Sequence, residues 1–278
     1  MAYAYKHISV KVDGGVAFAT LSNPPINLIT LEVAGELAQL ADELAKDEAI
    51  RAVVLRSDDP DFWLAHFDVA AIVGFPTGAA PALNREVADN FYHAMCEIYR
   101  TMPKATIAEI NGRVGGGGSE LAMSCDMRFG ALGKTIINQP EVALGILPGG
   151  TGTQRLPRLV GRGRALEVIL GCDDLDAATA ERWGYLNRAL PPAELRPFVD
   201  RLARRIASFP APAIAAAKRA VLAADASWER GLIEESHLFQ VLLRTPEAPR
   251  AMKKFLASGG QTREGEKQLG KLCEVLGE

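Results

Sequence analysis

Short apolar strands alternate with amphipathic helices over residues 1–192, and this alternation restricts the possible folds more than any other feature. Apolar residues alternate on both sides of the turn sequence DGG at 13–15, which predicts a hairpin. Residues 31–47 carry apolar side chains at helical spacing, and IRAVVLRS at 50–57 reads as a short strand. Such alternation predicts an α/β fold whose sheets are covered on both faces.

The same cycle of helix and strand continues up to residue 192. Apolar spacing at 87–98 predicts a helix that ends before Pro103, and ATIAEIN at 105–111 predicts the next strand. After a run of glycines we expect a short helix, two strands, a long helix, and a last helix that stops at a glycine before a strand. These segments are SELAMSC at 119–125, DMRFGAL at 126–132, KTIIN at 134–138, residues 152–171 and residues 176–191.

The remaining residues, 193–278, show only helical periodicity. One apolar stripe consists of Leu195, Val199, Leu202 and Ile206, and others follow closer to the carboxyl terminus. We therefore expect a core at 1–192 and a helical region at 193–278, near the lower end of domain size. The apolar faces of these helices require a partner, either the core or another subunit.

Charge and composition exclude several classes of function. The net charge is -3 and the pI is near 5.9, so we expect no nucleic-acid partner, which would require a basic surface. The amino terminus lacks the pattern of a secretory leader, and no apolar stretch reaches bilayer length, so we expect a cytoplasmic protein without membrane association. The four cysteines are isolated from one another and lack metal-ligand spacing, so we expect reduced thiols and no bound metal. They are Cys96, Cys125, Cys172 and Cys273.

Four consecutive glycines, Gly115–Gly118, lie between a predicted strand and a predicted helix. A phosphate-binding P-loop is excluded because the only candidate, at 133–135, has Arg128 where the leading glycine belongs. A dinucleotide motif would need glycine at Glu120 or Leu121, and a serine-hydrolase elbow would also need glycine at Leu121. Two uses remain open, an oxyanion hole at a helix amino terminus and a structural tight turn.

Two glutamates accompany the glycines. Glu120 is predicted in the first turn of the helix, and Glu141 lies between a strand and a second glycine-rich loop. Taken singly, the first is typical of a helix-dipole contact and the second of a solvated helix start. Together with an oxyanion loop they could form an acid/base pair, with pKa values raised by burial and mutual repulsion.

The segments INGRVGGGGSELAMSCDMRF and QPEVALGILPGGTGTQRLPRLVG resemble the crotonase superfamily, and most closely its enoyl-CoA hydratases. The family pattern runs close to NGxxxGGGxELAxxCDxxxA and QPExxLGxxPGxGGTQRLxRxxG. The match is specific over residues 108–190. A weaker likeness covers nearly the whole chain, through LSNPPINLIT, FWLAHFDVAAI and TPEAPRAMKKFLASG.

The resemblance implies a spiral of ββα repeats, a carboxy-terminal helical trimerisation region that covers the acyl-CoA site, and a homotrimer or dimer of trimers. It implies water addition to an enoyl-CoA, with no cofactor beyond the coenzyme A of the substrate. Backbone N–H groups of Phe67 and Gly117 would hold the thioester oxygen, Glu120 would activate water, and Glu141 would protonate the α-carbon. Implied substrate contacts are Asn27, Leu28, Ala65, His66, Asp68, Gly116, Pro140 and Gly149.

Several departures from the family pattern generate further expectations. Trp63, His66 and Phe67 stand where small residues are common, which predicts a narrower or differently shaped pocket. The loop between the glutamates is one residue longer, so Glu141 could be displaced, and Lys253 and Lys254 are the candidates for the coenzyme A phosphates. Two alternatives stay open: an enoyl-CoA isomerase or a related crotonase-family reaction, in which one carboxylate is dispensable, and a non-catalytic acyl-CoA-binding subunit.

Overall fold

Ten strands form two sheets in the residues that this computed structural model describes, 3–79, 90–222 and 228–272. The strands are β1 Ile8–Asp13, β2 Val16–Leu21, β3 Ala52–Ser57, β4 Phe62–Leu64, β5 Ala105–Ile110, β6 Arg113–Gly115, β7 Met127–Ala131, β8 Ile136–Asn138, β9 Leu175–Asp176 and β10 Arg188–Leu190. The helices are α1 Leu31–Lys46, α2 Val69–Val73, α3 Phe91–Thr101, α4 Gly116–Ser124, α5 Gly152–Val160, α6 Arg162–Gly171, α7 Ala177–Trp183, α8 Pro192–Ala207, α9 Ala211–Leu222, α10 Trp228–Leu243, α11 Glu247–Ala257 and α12 Arg263–Glu266.

Three successive pairs of strands contribute one strand to each sheet. The first sheet has the order β1-β2-β3-β5-β7-β10 and the second has the order β4-β6-β8-β9. Within the first sheet only the predicted hairpin β1-β2 is antiparallel, and β4, β6 and β8 of the second sheet are parallel. The pairs β3-β4, β5-β6 and β7-β8 are each followed by helices, which confirms the predicted α/β spiral of ββα repeats.

The central strands β2, β3 and β5 of the first sheet are buried on both faces, as the sequence predicts. In β3, Val53 and Leu55 join the main core with the leucines of α1, whereas Ala52 and Val54 face the opposite way. That opposite face is covered by α8, which buries Leu195, Val199, Ala203 and Ala207. Each fully buried leucine or valine contributes about 1.5–3 kcal/mol relative to an exposed one, so both layers stabilise the sheet.

Helix α4 differs from the prediction because it begins at Gly116 instead of Ser119. The glycines form its first turn, so Glu120 is the fifth residue of the helix and does not lie in the first turn as expected. A side chain at this point would prevent the packing, since a Cβ on Gly118 would lie 2.8 Å from Cβ of Leu64 and would also collide with the carbonyl oxygen of Leu64. Glycine thus allows the helix to start directly against strand β4.

Two other predicted helices also differ in their limits. The long helix expected at 152–171 is divided into α5 and α6 at Gly161, whose φ of 82° interrupts the helical path. The helix expected from Val87 begins at Phe91, where Asn90 caps it by accepting from the N–H groups of Tyr92 and His93. Val87 lies outside the described residues.

The carboxy-terminal helices return to the part of the core that holds α2. Ala248, Met252 and Phe255 of α11 pack in one cluster with Val69 and Ile72. Among the described residues, no helix combines the length and apolar character that crossing a bilayer requires. Cys96, Cys125 and Cys172 are buried and take part in no disulfide among the described residues, and Cys273 lies outside those residues.

Substitution of Gly118 by alanine tests the close contact between α4 and β4. We expect Gly118→Ala to lower the free energy of unfolding by roughly 1–3 kcal/mol, because the added methyl overlaps Leu64. Gly35→Ala is the matched control, since Gly35 lies within α1 with no atom within 4 Å of its would-be Cβ. Gly35→Ala should raise the free energy of unfolding, measured with urea, by about 0.5–1 kcal/mol, because alanine is more stable than glycine inside a helix. Equal effects of the two variants would contradict the packing argument.

Candidate active site

One largely apolar cavity, with an empty volume of about 700 Å³, lies between α2, α3, α4 and the carboxy-terminal helices. The four predicted catalytic positions all line it: Phe67, Gly117, Glu120 and Glu141. The long loop between the glutamates therefore does not keep Glu141 away from the cavity that Glu120 lines. His66, Pro140 and Gly149 of the predicted substrate contacts also line this cavity.

The Glu120 carboxylate is held by two backbone amides. Its Oε1 accepts hydrogen bonds from Gly150 N at 2.8 Å and from Gly152 N at 2.7 Å. Gly152 is also the first residue of α5, so the carboxylate faces the positive end of that helix. Hydrogen bonds to a carboxylate favour its charged form, and this environment therefore favours ionised Glu120.

The environment of Glu141 favours the opposite charge state. Burial, followed by the charge of Glu120, raises the pKa of Glu141 well above its ordinary value. A hydrogen bond of 3.1 Å from the Gln139 side-chain amide opposes this rise without reversing it. The hydrogen bonds at Glu120 favour its charged form, whereas burial and the charge of Glu120 favour the protonated form of Glu141.

The backbone N–H groups of Gly117 and Phe67 lie on neighbouring segments beside the glutamates. Gly117 is the second residue of α4, where an N–H has no acceptor within the helix. Phe67 pairs with Ile29 in a parallel bridge, in which Asp68 N donates to Ile29 O and Ile29 N donates to His66 O. The Phe67 N–H therefore points away from Ile29. The two segments are in contact, since a Cβ on Gly117 would lie 3.3 Å from Cβ of Phe67.

Tyr92 connects these segments, and the sequence contained no signal for this role. Its hydroxyl donates to the Gly117 carbonyl oxygen at 2.6 Å, and its ring packs edge-on against Phe67 at 5.9 Å. The same ring packs against Gly150, which leaves no room for a side chain there. Burial raises the pKa of Tyr92 well above its usual value, so the phenol remains a neutral donor.

His66 forms a buried ion pair with Glu266, 200 residues away. Its Nε2 lies 3.0 Å from Glu266 Oε1, and its Nδ1 lies 2.8 Å from the Phe67 carbonyl oxygen. Both neighbours can accept a hydrogen bond, so the doubly protonated ring satisfies both contacts. Burial opposes this charge, but Glu266 outweighs it and the pKa of His66 is raised. Burial likewise opposes ionisation of Glu266, and His66 lowers its pKa overall.

Five predicted substrate contacts do not line the cavity. Asn27 is buried and donates to Ser57 Oγ at 2.8 Å, while Leu28 and Ala65 belong to a small apolar cluster beside it. Asp68 caps α2 through Ala70 N. A Cβ on Gly116 would lie 2.8 Å from the Glu141 carboxyl, so glycine there leaves space for that group.

Two further expectations have different outcomes. Trp63 does not narrow the pocket as expected, because its ring is fully buried in the main core, where Nε1 donates to Leu55 O at 3.4 Å. Phe67, by contrast, lines the cavity and adds bulk there. Lys253 is exposed and Lys254 is half-buried on α11, and their predicted role at the coenzyme A phosphates remains a prediction.

Comparisons with known proteins agree with this architecture. The family model described as enoyl-CoA hydratase/isomerase matches residues 11–260. The crotonyl-CoA hydratase of Syntrophomonas wolfei is 31% identical over 258 residues, which is 91% of this chain and 96% of that protein. The short-chain-enoyl-CoA hydratase of Clostridium acetobutylicum is 30% identical over 252 residues, which is 90% of this chain and 94% of that protein. A crystal structure from Streptomyces avermitilis, assigned as an enoyl-CoA hydratase, has a TM-score of 0.88 at 38% identity and covers 99% of each chain.

Removal of the Glu266 charge tests the buried ion pair. The raised pKa of His66 contributes stability below its unfolded value of about 6.5, and this is lost as the pH rises through the folded pKa. The lowered pKa of Glu266 contributes above about 4.3 and is lost as the pH falls. We therefore expect Glu266→Gln to cost roughly 3–5 kcal/mol near pH 6 and less at alkaline pH.

Urea unfolding between pH 5.5 and pH 9.5, a range of roughly four units around the ordinary pKa of histidine, measures this dependence. Glu264→Gln is the control, because Glu264 is exposed on the same short helix and its pair with Lys267 is 3.8 Å long. A loss for Glu266→Gln that stays constant across the range would refute the paired imidazolium.

Proposed function

The chain belongs to the enoyl-CoA hydratase/isomerase family, and we propose that it is an enoyl-CoA hydratase, which adds water reversibly across the 2,3 double bond of an enoyl-CoA thioester. The observation that carries the proposal is the pair Glu120 and Glu141. Both carboxyl groups line one apolar cavity, where two amides favour the ionised form of the first and burial favours the protonated form of the second. Hydration requires one base and one acid, which this pair supplies.

In the proposed reaction the thioester oxygen lies between the N–H groups of Gly117 and Phe67. Ionised Glu120 takes a proton from water while the water oxygen bonds to the β-carbon, and the electron pair of the double bond moves onto the thioester as an enolate. The two N–H groups stabilise the charge that develops on its oxygen. Glu141 then donates its proton to the α-carbon. Return of the proton from Glu120 to Glu141 restores the starting state.

The rest of the cavity fits an apolar acyl group. Its lining beyond the carboxyl groups is mainly aromatic and aliphatic, and Phe239 and Phe255 bring the carboxy-terminal helices into contact with it. This supports the proposal that residues 193–278 cover the acyl-CoA site. Coenzyme A enters as part of the substrate, and the proposed steps use neither a metal nor a redox cofactor.

Self-association as a homotrimer or dimer of trimers, in the cytoplasm, is part of the proposal. Apolar side chains remain exposed on helices outside the cavity, including Leu166 and Leu170 of α6 and Val221 of α9. Among its described side chains, α9 buries none. Such faces support association with further copies of the chain.

Replacement of each glutamate by glutamine tests the acid/base pair. We expect Glu120→Gln and Glu141→Gln each to reduce kcat for crotonyl-CoA hydration by roughly 10²–10⁴-fold, since each removes one proton-transfer group. Glu167→Gln, an exposed position on α6, is the control and should retain wild-type activity. Loss of the enoyl thioester absorbance measures the rate, and a 3-enoyl-CoA is assayed in parallel.

Two outcomes of this assay separate the alternatives. If crotonyl-CoA and longer 2-enoyl-CoAs are not hydrated while a 3-enoyl-CoA is isomerised, the hydratase proposal is wrong and the isomerase is favoured. If CoA thioesters bind without turnover, the chain is a non-catalytic acyl-CoA-binding subunit.

A proline at Gly117 tests the oxyanion donor, because it removes the N–H. We expect Gly117→Pro to reduce turnover by a further factor of about 100 or more relative to Gly117→Ala. Alanine is the matched control, since it keeps the N–H but adds a Cβ only 3.1 Å from Tyr92 Oη and 3.3 Å from Cβ of Phe67. Equal activity of the two folded variants, with the same oligomeric state, would exclude Gly117 as a donor.

A further inference from the structure

The two amides that hold Glu120 flank a single strained residue, Thr151. Its φ of 120° and ψ of -5° lie where residues other than glycine are rarely found. The residue is fully buried, and Gly150 on one side and Gly152 on the other donate to the same carboxylate oxygen. The conformation of Thr151 therefore decides whether both N–H groups can point at Glu120 together. Strain of this kind persists only where surrounding groups hold it.

The side chain of Arg155 holds Thr151 in this conformation. Arg155 lies one turn further along α5, and its Nε donates to Thr151 Oγ1 at 2.9 Å. The Thr151 carbonyl oxygen accepts from the N–H groups of Gln154 and Arg155 at 3.0 and 2.9 Å. The residue is thus bound through both its side chain and its backbone.

Arg155 is itself fixed from a second element. Its guanidinium is buried, and Nη2 lies 2.5 Å from Oε1 of Glu97 on α3. Arg100 of α3 also binds Glu97, at 2.7 Å. A chain of contacts therefore runs from Glu97 of α3 through Arg155 to Thr151. Gly150 and Gly152, which flank Thr151, continue it to the carboxylate of Glu120.

We propose that Thr151 and Arg155 are positioning residues, which hold the Gly150 and Gly152 amides on the Glu120 carboxylate and so keep the base ionised and oriented. The inference rests on the proposed function in one respect, the role of Glu120 as the base. Neither side chain needs to touch the substrate. Without the Thr151 hydroxyl, only the backbone hydrogen bonds to the Thr151 carbonyl oxygen remain, and the flanking peptides can relax away from the carboxylate.

Several titratable or charged groups face Glu120 from the surrounding elements, and each contributes to its pH dependence. They are Tyr92 and Cys96 of α3, Glu141 after β8 and Tyr185 before β10. Burial raises the pKa of all four groups, which favours their uncharged forms. A change confined to the hydrogen bonds from Gly150 N and Gly152 N should therefore appear as a change in the titration of Glu120.

A pair of substitutions at Thr151 separates the hydroxyl from the shape of the side chain. Thr151→Val keeps the size and branching of the side chain but removes the hydroxyl that Arg155 binds, whereas Thr151→Ser keeps the hydroxyl. We expect Thr151→Val to lower kcat for crotonyl-CoA hydration by roughly tenfold to a hundredfold with little change in KM. The acid limb of its kcat profile should move upward by roughly one pH unit. Thr151→Ser should keep both kcat and the position of the acid limb close to the wild-type values.

Arg155→Met and Arg158→Met form a second matched pair on α5. Arg155 is buried and binds Thr151, whereas Arg158 is exposed on the same helix. Only Arg155→Met should reproduce the shifted acid limb. If this variant does not fold, Thr151→Val still tests the proposal, because its thermal unfolding shows whether the fold is intact.

A direct titration separates this inference from the proposed function. The ¹³C carboxyl resonance of Glu120, assigned by its absence in Glu120→Gln, is followed against pH in the wild type and in Thr151→Val. A higher pKa for Glu120 in Thr151→Val supports the positioning role, even if no enoyl-CoA is hydrated and the hydratase proposal fails. An unchanged titration and an unchanged acid limb in folded Thr151→Val would overturn the positioning role while leaving the hydratase proposal intact.

Discussion

A buried carboxylate must be hydrogen-bonded, and the hydrogen bonds from Gly150 and Gly152 to Glu120 are the constraint around which this protein is arranged. They lie at the start of α5, where the strained residue Thr151 stands between the two donors. They also fix the charge of the neighbouring site, because the negative charge of Glu120 adds to burial in raising the pKa of Glu141. The backbone contacts that favour the charged form of Glu120 thus also favour the protonated form of Glu141.

The scaffold brings these groups together because each repeat of the spiral ends near the same place. Strand β4 leads to Phe67, strand β6 leads to Gly117 and Glu120, and strand β8 leads to Glu141. These three strands are adjacent and parallel in the second sheet, so their carboxyl ends meet at one edge. Glycines in the first turn of α4 allow close approach to β4, and Tyr92 then joins the segments through its hydroxyl and ring.

The carboxy-terminal region closes the same site through charge and apolar contact. The ion pair between His66 and Glu266 links the segment before Phe67 to the short helix α12, and Gln261 binds both Glu266 and Asp68. Phe255 packs edge-on against the His66 ring at 5.8 Å. His66 thus holds α12 against the segment that contains Phe67. Both of its ring nitrogens lie within hydrogen-bond distance of protein oxygens.

The sequence by itself determined the alternating α/β core and the helical region after residue 192, because periodicity is a local property. The resemblance to the family motifs pointed to Gly117, Glu120 and Glu141 as residues of one site. The sequence missed the short strands β4 and β6, whose three residues carry no periodic signal, and it placed the start of α4 too late. Only the tertiary structure decided the contacts of Tyr92, the partner of His66, the burial of Trp63 and the strain at Thr151. Each of these depends on residues far apart in the chain, whose distance and burial exist only once the sheets and helices have packed.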